Sequence, residues 1–318
     1  MHPEIDMLTW PGLEAMRPVW RHAQSFRVGG VDVRLRSTLD PASFRVKPQL
    51  LAFAVEQAGA EAIRFSHVFD MPPLDALDLG TVAYRQPPWI LSVRDGIWFY
   101  RCVAAGEDSP FCLAVFSDDY RYACVYHRPE TAAGIVGGEW SSIALLPTDQ
   151  IWLCPLMADR QGLLLHASAV ILDGKAFVFA GKSGAGKSTT VELLRRAGCF
   201  RQTEVLCDDR IIVRRLDGHW QVHGTWSHGS IPDVSPASAP LGGIFLLEQS
   251  GENRLIPVTD PSAILHALLA VLIRPLPTDT WWRTVLGVLE SLVRESHVDI
   301  MQFDRSGNIV KRLAERMS

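Results

Sequence analysis

Residues 177–194, FVFAGKSGAGKSTTVELL, set an apolar run, a glycine-rich turn, a lysine and three hydroxyl side chains in succession. Gly181-Lys182-Ser183-Gly184-Ala185-Gly186-Lys187-Ser188 fits GxxxxGK[ST] at every fixed position. Glycines let such a turn curl until several backbone N–H groups face one oxyanion. A helix beginning at Ser188 adds its positive end and its unpaired N–H groups. Lys187 carries a point charge to β- and γ-phosphates, and Ser188 offers a hydroxyl to Mg²⁺. Thr189 follows in the same helical turn. Lys182 lies inside the loop, either as a further phosphate contact or as a solvated side chain. A chance glycine-rich connection is the bland alternative; an apolar strand before the turn and a helical pattern after it argue against that. The turn predicts a nucleoside triphosphate site with Mg²⁺. Nothing like the base-reading NKxD of GTPases is present, which leaves ATP as the default nucleotide.

Two further features bear on where the phosphate goes. Cys207-Asp208-Asp209-Arg210 follows the turn's helix after one short connection. Adjacent carboxylates at a strand end suit two tasks, holding Mg²⁺ and accepting the proton of an attacking hydroxyl. An exposed Asp-Asp turn is the alternative. His166 lies in the apolar run GLLLHASAV, where a lone histidine is by itself more often a satisfied core residue.

The elements that must position these groups can be read from periodicity. Strands are expected at 26–35 (interrupted by Gly29-Gly30), 62–69, 81–85, 89–93, 97–103, 113–116 and 120–126, with hairpin turns at 94–96 and 117–119. Residues 48–61 read as a helix, or as a buried strand and a turn. The first ~130 residues thus predict a β-rich region with antiparallel connections. Residues 128–138 read as a linker. Beyond them the pattern alternates: a helix at 149–160 despite Pro155, strands at 163–172 and 176–180, a helix at 188–197 stopped by Gly198, strands at 204–207, 211–216, 220–223 and 244–247, and helices at 262–273 and 279–294. Gly243–Glu248 has a Walker B look, but reads first as a central strand ending at a surface acid. His223 and His228 lack a third partner for a metal, so their segment reads as a loop near the nucleotide or acceptor, or a plain turn.

The chain has 318 residues, 31 basic and 35 acidic side chains and a formal charge of −4. Mild acidity gives no reason to expect nucleic acid. No apolar run has membrane-spanning length, and the N-terminus shows no signal-peptide pattern. Six scattered cysteines without CxxC spacing read as free thiols in a reducing cytoplasm, with a disulfide among Cys102, Cys112 and Cys124 the minority reading.

LLLHASAV, FVFAGKSGAGKSTT and EVLCDDR, in this order and at this spacing, resemble the HPr kinase/phosphorylase family. The likeness is greatest to its HPr-kinase-related branch, found near genes for ribosomally made, modified peptides. The resemblance implies transfer of the γ-phosphoryl of ATP to a serine hydroxyl on a protein or peptide. It also implies a mixed-sheet fold related to ATP-dependent phosphoenolpyruvate carboxykinase. By position, His166 matches the family's active-site histidine, Lys187 the phosphate lysine and Ser188 the Mg²⁺ ligand. Asp208 matches the general base, and Asp209 its partner nearer the metal and the histidine. The match is good over residues 160–215, fainter to the end, and absent from the β-rich part. Thr189 stands where HPr kinases carry an acid, and neither their second glycine-rich signature nor their hexamer-forming N-terminal domain is visible. These departures count against HPr as substrate and against phosphorylase activity.

The resulting expectation is an α/β protein. A mixed-sheet P-loop kinase domain of the HPr kinase / phosphoenolpyruvate carboxykinase type spans 139–318, and a β-rich domain over 1–135 serves substrate recognition. The activity expected is ATP-dependent phosphorylation of a hydroxyl on a peptide or small protein. The catalytic residues are Asp208, His166, Lys187 and Asp209, with residues 181–189 on the nucleotide and Ser188 and Asp209 on Mg²⁺. The other readings are an ATPase acting as an assembly or chaperone partner, and a small-molecule kinase. A cytoplasmic location is expected, with no nucleic-acid or membrane partner. The apolar face of the last long helix is read first as packing and second as a homo-oligomer contact.

Overall fold

In VDVRLRS, Val31, Val33, Leu35 and Ser37 are buried while Arg34 and Arg36 between them are exposed, the period-two pattern of a strand with one face in a core. A computed structural model describes residues 18–104, 106, 109–135, 139–145, 149–275 and 278–317. Its contacts divide the chain into two compact units at Trp152/Leu153, with Val28–Gly30 grouped with the second. Both are mixed α/β arrangements around a large mixed sheet.

The first unit contains β1 (His22–Val28), β2 (Val31–Ser37), β3 (Arg45–Val46), helix α1 (Pro48–Leu51), β4 (Ala54–Val55), β5 (Ile63–Val68), β6 (Thr81–Gln86), β7 (Trp89–Arg94), β8 (Ile97–Cys102), β9 (Cys112–Phe116), β10 (Tyr122–His127), helix α2 (Pro129–Ile135) and β11 (Glu139–Trp140). Nine strands form one sheet in the order β4-β1-β2-β5-β10-β9-β8-β7-β6. The expected hairpins form at 94–96 and 117–119. The expectation of antiparallel connections throughout fails at the centre, where β2, β5 and β10 run parallel. Parallel neighbours need crossover connections, which no local turn signal announces. The expected linker forms a helix over Pro129–Ile135, and 136–138 lie outside the described residues. All six cysteines are free thiols, Cys199 exposed and the others buried.

The second unit contains α3 (Gln150–Ala158), which begins at the boundary, then β12 (Gly162–Leu165), β13 (Ala167–Leu172), β14 (Lys175–Ala180), α4 (Lys187–Ala197), β15 (Thr203–Cys207), β16 (Ile211–Leu216), β17 (His219–His223), β18 (Ser238–Gln249), β19 (Arg254–Pro257), α5 (Pro261–Val271), α6 (Asp279–Glu295), β20 (Val298–Phe303) and α7 (Asn308–Met317). Its nine-stranded sheet runs β12-β16-β17-β18-β14-β13-β15, with β20 on β18 and β19 on β20. β14, β18 and β20 are parallel; β13 is antiparallel to both β14 and β15. The core joins Val170, Phe179, Val205, Phe245 and Met301 of the sheet to Val191 and Leu194 of α4 and Ile309 and Leu313 of α7. The expected strand 163–172 is two strands, because the chain changes partners at His166: β12 pairs with β16, and β13 with β14 and β15. The strand expected at 244–247 runs over Ser238–Gln249 and is central, and Glu248 is exposed at its end, where it accepts from Gln302. The apolar face of α6 (Trp281, Val285, Val288, Leu289, Leu292, Val293) is buried within the chain, which is the packing reading. Among the described residues no helix is long and apolar enough to cross a membrane.

Histidines in both units are held neutral by burial. His67 Nδ1 meets His127 Nε2 at 3.2 Å and His67 Nε2 meets the Ile143 carbonyl at 2.8 Å. Burial lowers His67 to about 4 and His127 well below the ordinary range; in the second unit burial, with Arg214 adding to it, lowers His223 to about 4. An unfolded chain takes up protons at these histidines below about pH 6.5, while the folded chain resists until far lower pH. Their stabilising contribution is therefore complete above about pH 6.5 and declines as pH falls, by about 1.4 kcal/mol per pH unit for each such group. Thermal unfolding followed from about pH 7.5 to about pH 5 should show a falling midpoint; a flat profile would contradict this account.

Candidate functional site

The register of three strands brings the candidate residues to one sheet edge. Ala167 of β13 lies opposite Ala180 of β14, and Ala169 lies opposite Cys207 of β15. Because β13 is antiparallel to both neighbours, its start meets both their ends. His166 before β13, the glycine turn after β14 and Asp208-Asp209 after β15 thereby meet at that edge.

Within Gly162–Leu172 only His166 is not buried. Its backbone N–H donates to the Val271 carbonyl (2.7 Å), which fixes the point where the chain leaves one strand pairing for the other. The ring is not a satisfied core group: its Nδ1 lies 3.1 Å from Asp209 Oδ1 and 3.0 Å from the Asp209 carbonyl.

The turn itself is closely built. Gly186 has φ +106, and a Cβ there would lie 2.6 Å from Phe303 Cζ; a Cβ on Gly181 would lie 2.7 Å from Ala185 Cβ. Ala185 N–H donates to the Lys182 carbonyl (3.0 Å), and Gln249 Nε2 donates to the Gly184 carbonyl (2.6 Å). Lys182 and Ser183 are exposed; Ser188 and Thr189 are half-buried in the first turn of α4. The first N–H groups of such a helix have no intrahelical acceptor. The Lys187 ammonium folds back on the turn, donating to the carbonyls of Gly181 (3.1 Å) and Lys182 (3.4 Å). Burial lowers its pKa, partly offset by Asp209 and then Asp208, so both carboxylates act on this one cation.

The two aspartates have separate surroundings. Asp208 is 3% exposed and accepts three hydrogen bonds: from Ser188 Oγ (2.9 Å) and Ile231 N–H (2.9 Å) on Oδ2, and from Gly229 N–H (2.5 Å) on Oδ1. Asp209 meets His166 on Oδ1, while its Oδ2 accepts from Ser227 Oγ (2.8 Å) and lies 3.5 Å from Arg210 Nε. Arg210 Nη1 in turn donates to Ser227 Oγ (2.7 Å). The pairing differs from the expected one on the side of Ser188. Ser188, expected on the metal with Asp209, stands with Asp208, whereas His166 stands with Asp209, the acid that the resemblance puts nearer the histidine. Adjacent residues leaving a strand point in opposite directions, and the sequence alone does not say which turns toward the helix.

Sequence reasoning singled out neither Ser227, Gly229, Ser230 nor Ile231. They belong to the β17–β18 connection, whose His223–His228 part reads from sequence as a loop near the nucleotide or acceptor, or a plain turn. The loop reaches both carboxylates. Thr225 supports it, donating to the Arg210 carbonyl (2.6 Å). The backbone passes close to its neighbours at Gly224, where a Cβ would sit 2.2 Å from the Ser235 carbonyl oxygen and 2.7 Å from that of Leu206. Among the described residues no group of three or more His, Cys, Asp or Glu side chains could hold a metal.

Replacing Gly198, which ends α4 at φ +60 in open surroundings, by alanine should cost only the left-handed strain, about 1–2 kcal/mol. Gly186→Ala should cost more, because it adds the contact with Phe303 to a less favourable φ. Thermal unfolding of the two variants compares them directly; equal costs would mean that the Gly186–Phe303 approach imposes nothing.

A family model described as "SynChlorMet cassette protein ScmC" matches residues 150–301. That span holds His166, the glycine turn and both aspartates, and is just under half of the chain. No curated protein matches the sequence.

Proposed function

We propose that the second unit is a P-loop kinase domain that transfers the γ-phosphoryl group of ATP to a hydroxyl, in the manner of the HPr kinase-like family it resembles. The observation that carries this reading is the Ser188–Asp208 hydrogen bond of 2.9 Å at the foot of the glycine turn, beside a second carboxylate coupled to a histidine. A hydroxyl and a carboxylate at the start of a phosphate-binding helix are the protein ligands that Mg²⁺ needs when phosphate oxygens and water complete its shell. The donor set fits a triphosphate: the Lys187 ammonium, the N–H groups opening α4, and a turn in which Gly184 has open space around its Cβ position. Bound Mg²⁺ would neutralise charge developing on the β- and γ-phosphate oxygens.

The roles follow from the neighbours. Ser188 and Asp208 form the metal side. Lys187 leaves the Gly181 and Lys182 carbonyls for phosphate oxygens. Asp209, the less buried acid, accepts the proton of the incoming hydroxyl; Arg210 and Ser227 hold its Oδ2, and His166 holds Oδ1 and can pass the proton on. A second, separately held carboxylate can take the proton of an acceptor hydroxyl or of water, so the preference for an acceptor hydroxyl rests on the resemblance. The acceptor class, a serine on a peptide or small protein, rests on the resemblance. A matched family whose name denotes a cassette protein suits an acceptor encoded alongside.

Asp209→Asn should lower phosphoryl transfer by about 10²–10⁴-fold while leaving nucleotide affinity nearly unchanged, read by mass spectrometry of acceptor peptides and by nucleotide titration. Lys187→Ala should weaken nucleotide binding, and chelation of Mg²⁺ should stop turnover. If the wild-type chain hydrolyses ATP but phosphorylates no acceptor, the kinase reading gives way to the ATPase one. If it binds no nucleotide, both fail.

A further inference from the structure

Ser230 is exposed, yet its Oγ is held in the site, donating to Ser188 Oγ at 2.8 Å. Ser188 Oγ donates onward to Asp208 Oδ2 at 2.9 Å. The residues on either side of Ser230 are anchored on that same carboxylate through their N–H groups, Gly229 on Oδ1 and Ile231 on Oδ2. The Ile231 side chain is 4% exposed and belongs to the core cluster that includes Val191 and Leu194 of α4. A Cβ on Gly229 would come within 3.1 Å of Asp208 Oδ2, so the backbone lies directly against the acid. A solvent-facing serine hydroxyl is thus pinned at the hydroxyl assigned to Mg²⁺, by bonds that leave the loop little freedom to withdraw.

We propose that Ser230 is a phosphorylation site served by this chain's own active site, in cis. This rests on the nucleotide-dependent reading above. A bond forms between Ser230 Oγ and the γ-phosphorus of a bound nucleoside triphosphate. The bond from that phosphorus to the β,γ-bridging oxygen breaks, and the nucleoside diphosphate leaves with its electron pair. The serine proton goes to Asp209, the acid assigned above to the incoming hydroxyl, while Ser188 and Asp208 stay on the metal side. The phosphoserine then brings about −1.5 to −2 charges beside Asp208 at neutral pH. Repulsion between that charge and the carboxylate loosens the Gly229 and Ile231 anchors, and the modified loop opposes a second triphosphate. The segment therefore acts as a self-limiting acceptor: one turnover on Ser230 lowers the site's later affinity for nucleotide.

The test is incubation of the full chain with ATP and Mg²⁺, followed by peptide mass spectrometry and a parallel assay of ATP hydrolysis. The expected result is one phosphoryl group on the peptide containing residues 228–231. Its rate of appearance per molecule should not change on dilution, it should be absent in Ser230→Ala, and it should return in Ser230→Thr, which keeps the hydroxyl. The phosphorylated fraction should bind nucleotide more weakly than the unmodified chain. ATP turnover without label on this peptide overturns the inference and leaves the kinase or ATPase reading standing. Labelling whose rate per molecule rises with protein concentration overturns transfer in cis. Failure of the wild-type chain to bind ATP overturns the inference together with the reading it rests on.

Discussion

A buried carboxylate is costly unless every lone pair it presents finds a donor, and Asp208 meets that demand from two separate segments. The first turn of α4 contributes the Ser188 hydroxyl, and the β17–β18 connection contributes the Gly229 and Ile231 N–H groups. Those three bonds tie the glycine turn, the end of β15 and a loop some twenty residues downstream into one object. Removing the acid would leave two backbone donors without acceptors, each a loss of about 1–3 kcal/mol where buried. Asp208 is thus a structural centre of the candidate site. Asp209, with its histidine, serine and arginine, is the less buried of the two acids.

The sheet beneath supplies the precision. Strand β13 runs antiparallel to both β14 and β15, so both neighbours end where it begins. A one-residue slip in either ladder would turn the alternating side chains to the opposite face. The continuous burial of Ala167–Leu172 and Ala176–Ala180 makes such a slip expensive. His166 escapes burial because the chain changes partners there, from β16 to β14 and β15, and the Val271 carbonyl takes its N–H. The exchange of partners places a polar ring at the edge where the glycine turn begins.

Much of this was legible in the sequence for local reasons. GxxxxGK[ST] is a run of consecutive residues whose conformation depends mainly on its own glycines and the helix it opens. The Asp-Asp pair and the histidine stood out as polar groups in apolar runs. Hairpin turns at 94–96 and 117–119 were readable because their geometry is local. The parallel pairing of β2, β5 and β10 was not, since crossovers carry no turn signature. Nor were β19, β20 and α7 expected, although β20 supplies the Phe303 ring against Gly186.

The sequence by itself determined which groups could do chemistry: a lysine and a hydroxyl at a glycine turn, two acids and a histidine, in an α/β chain. It did so because each signal is short-range, written in residue type and spacing. Only the tertiary structure decided that Ser188 pairs with Asp208 and set the distances of all these contacts. It alone brought Ser227 and Ser230 to them from a loop without a motif. Pairing depends on strand register and on where a distant connection is anchored. Both are settled by burial and hydrogen-bond satisfaction across the whole unit rather than by any stretch of neighbouring residues.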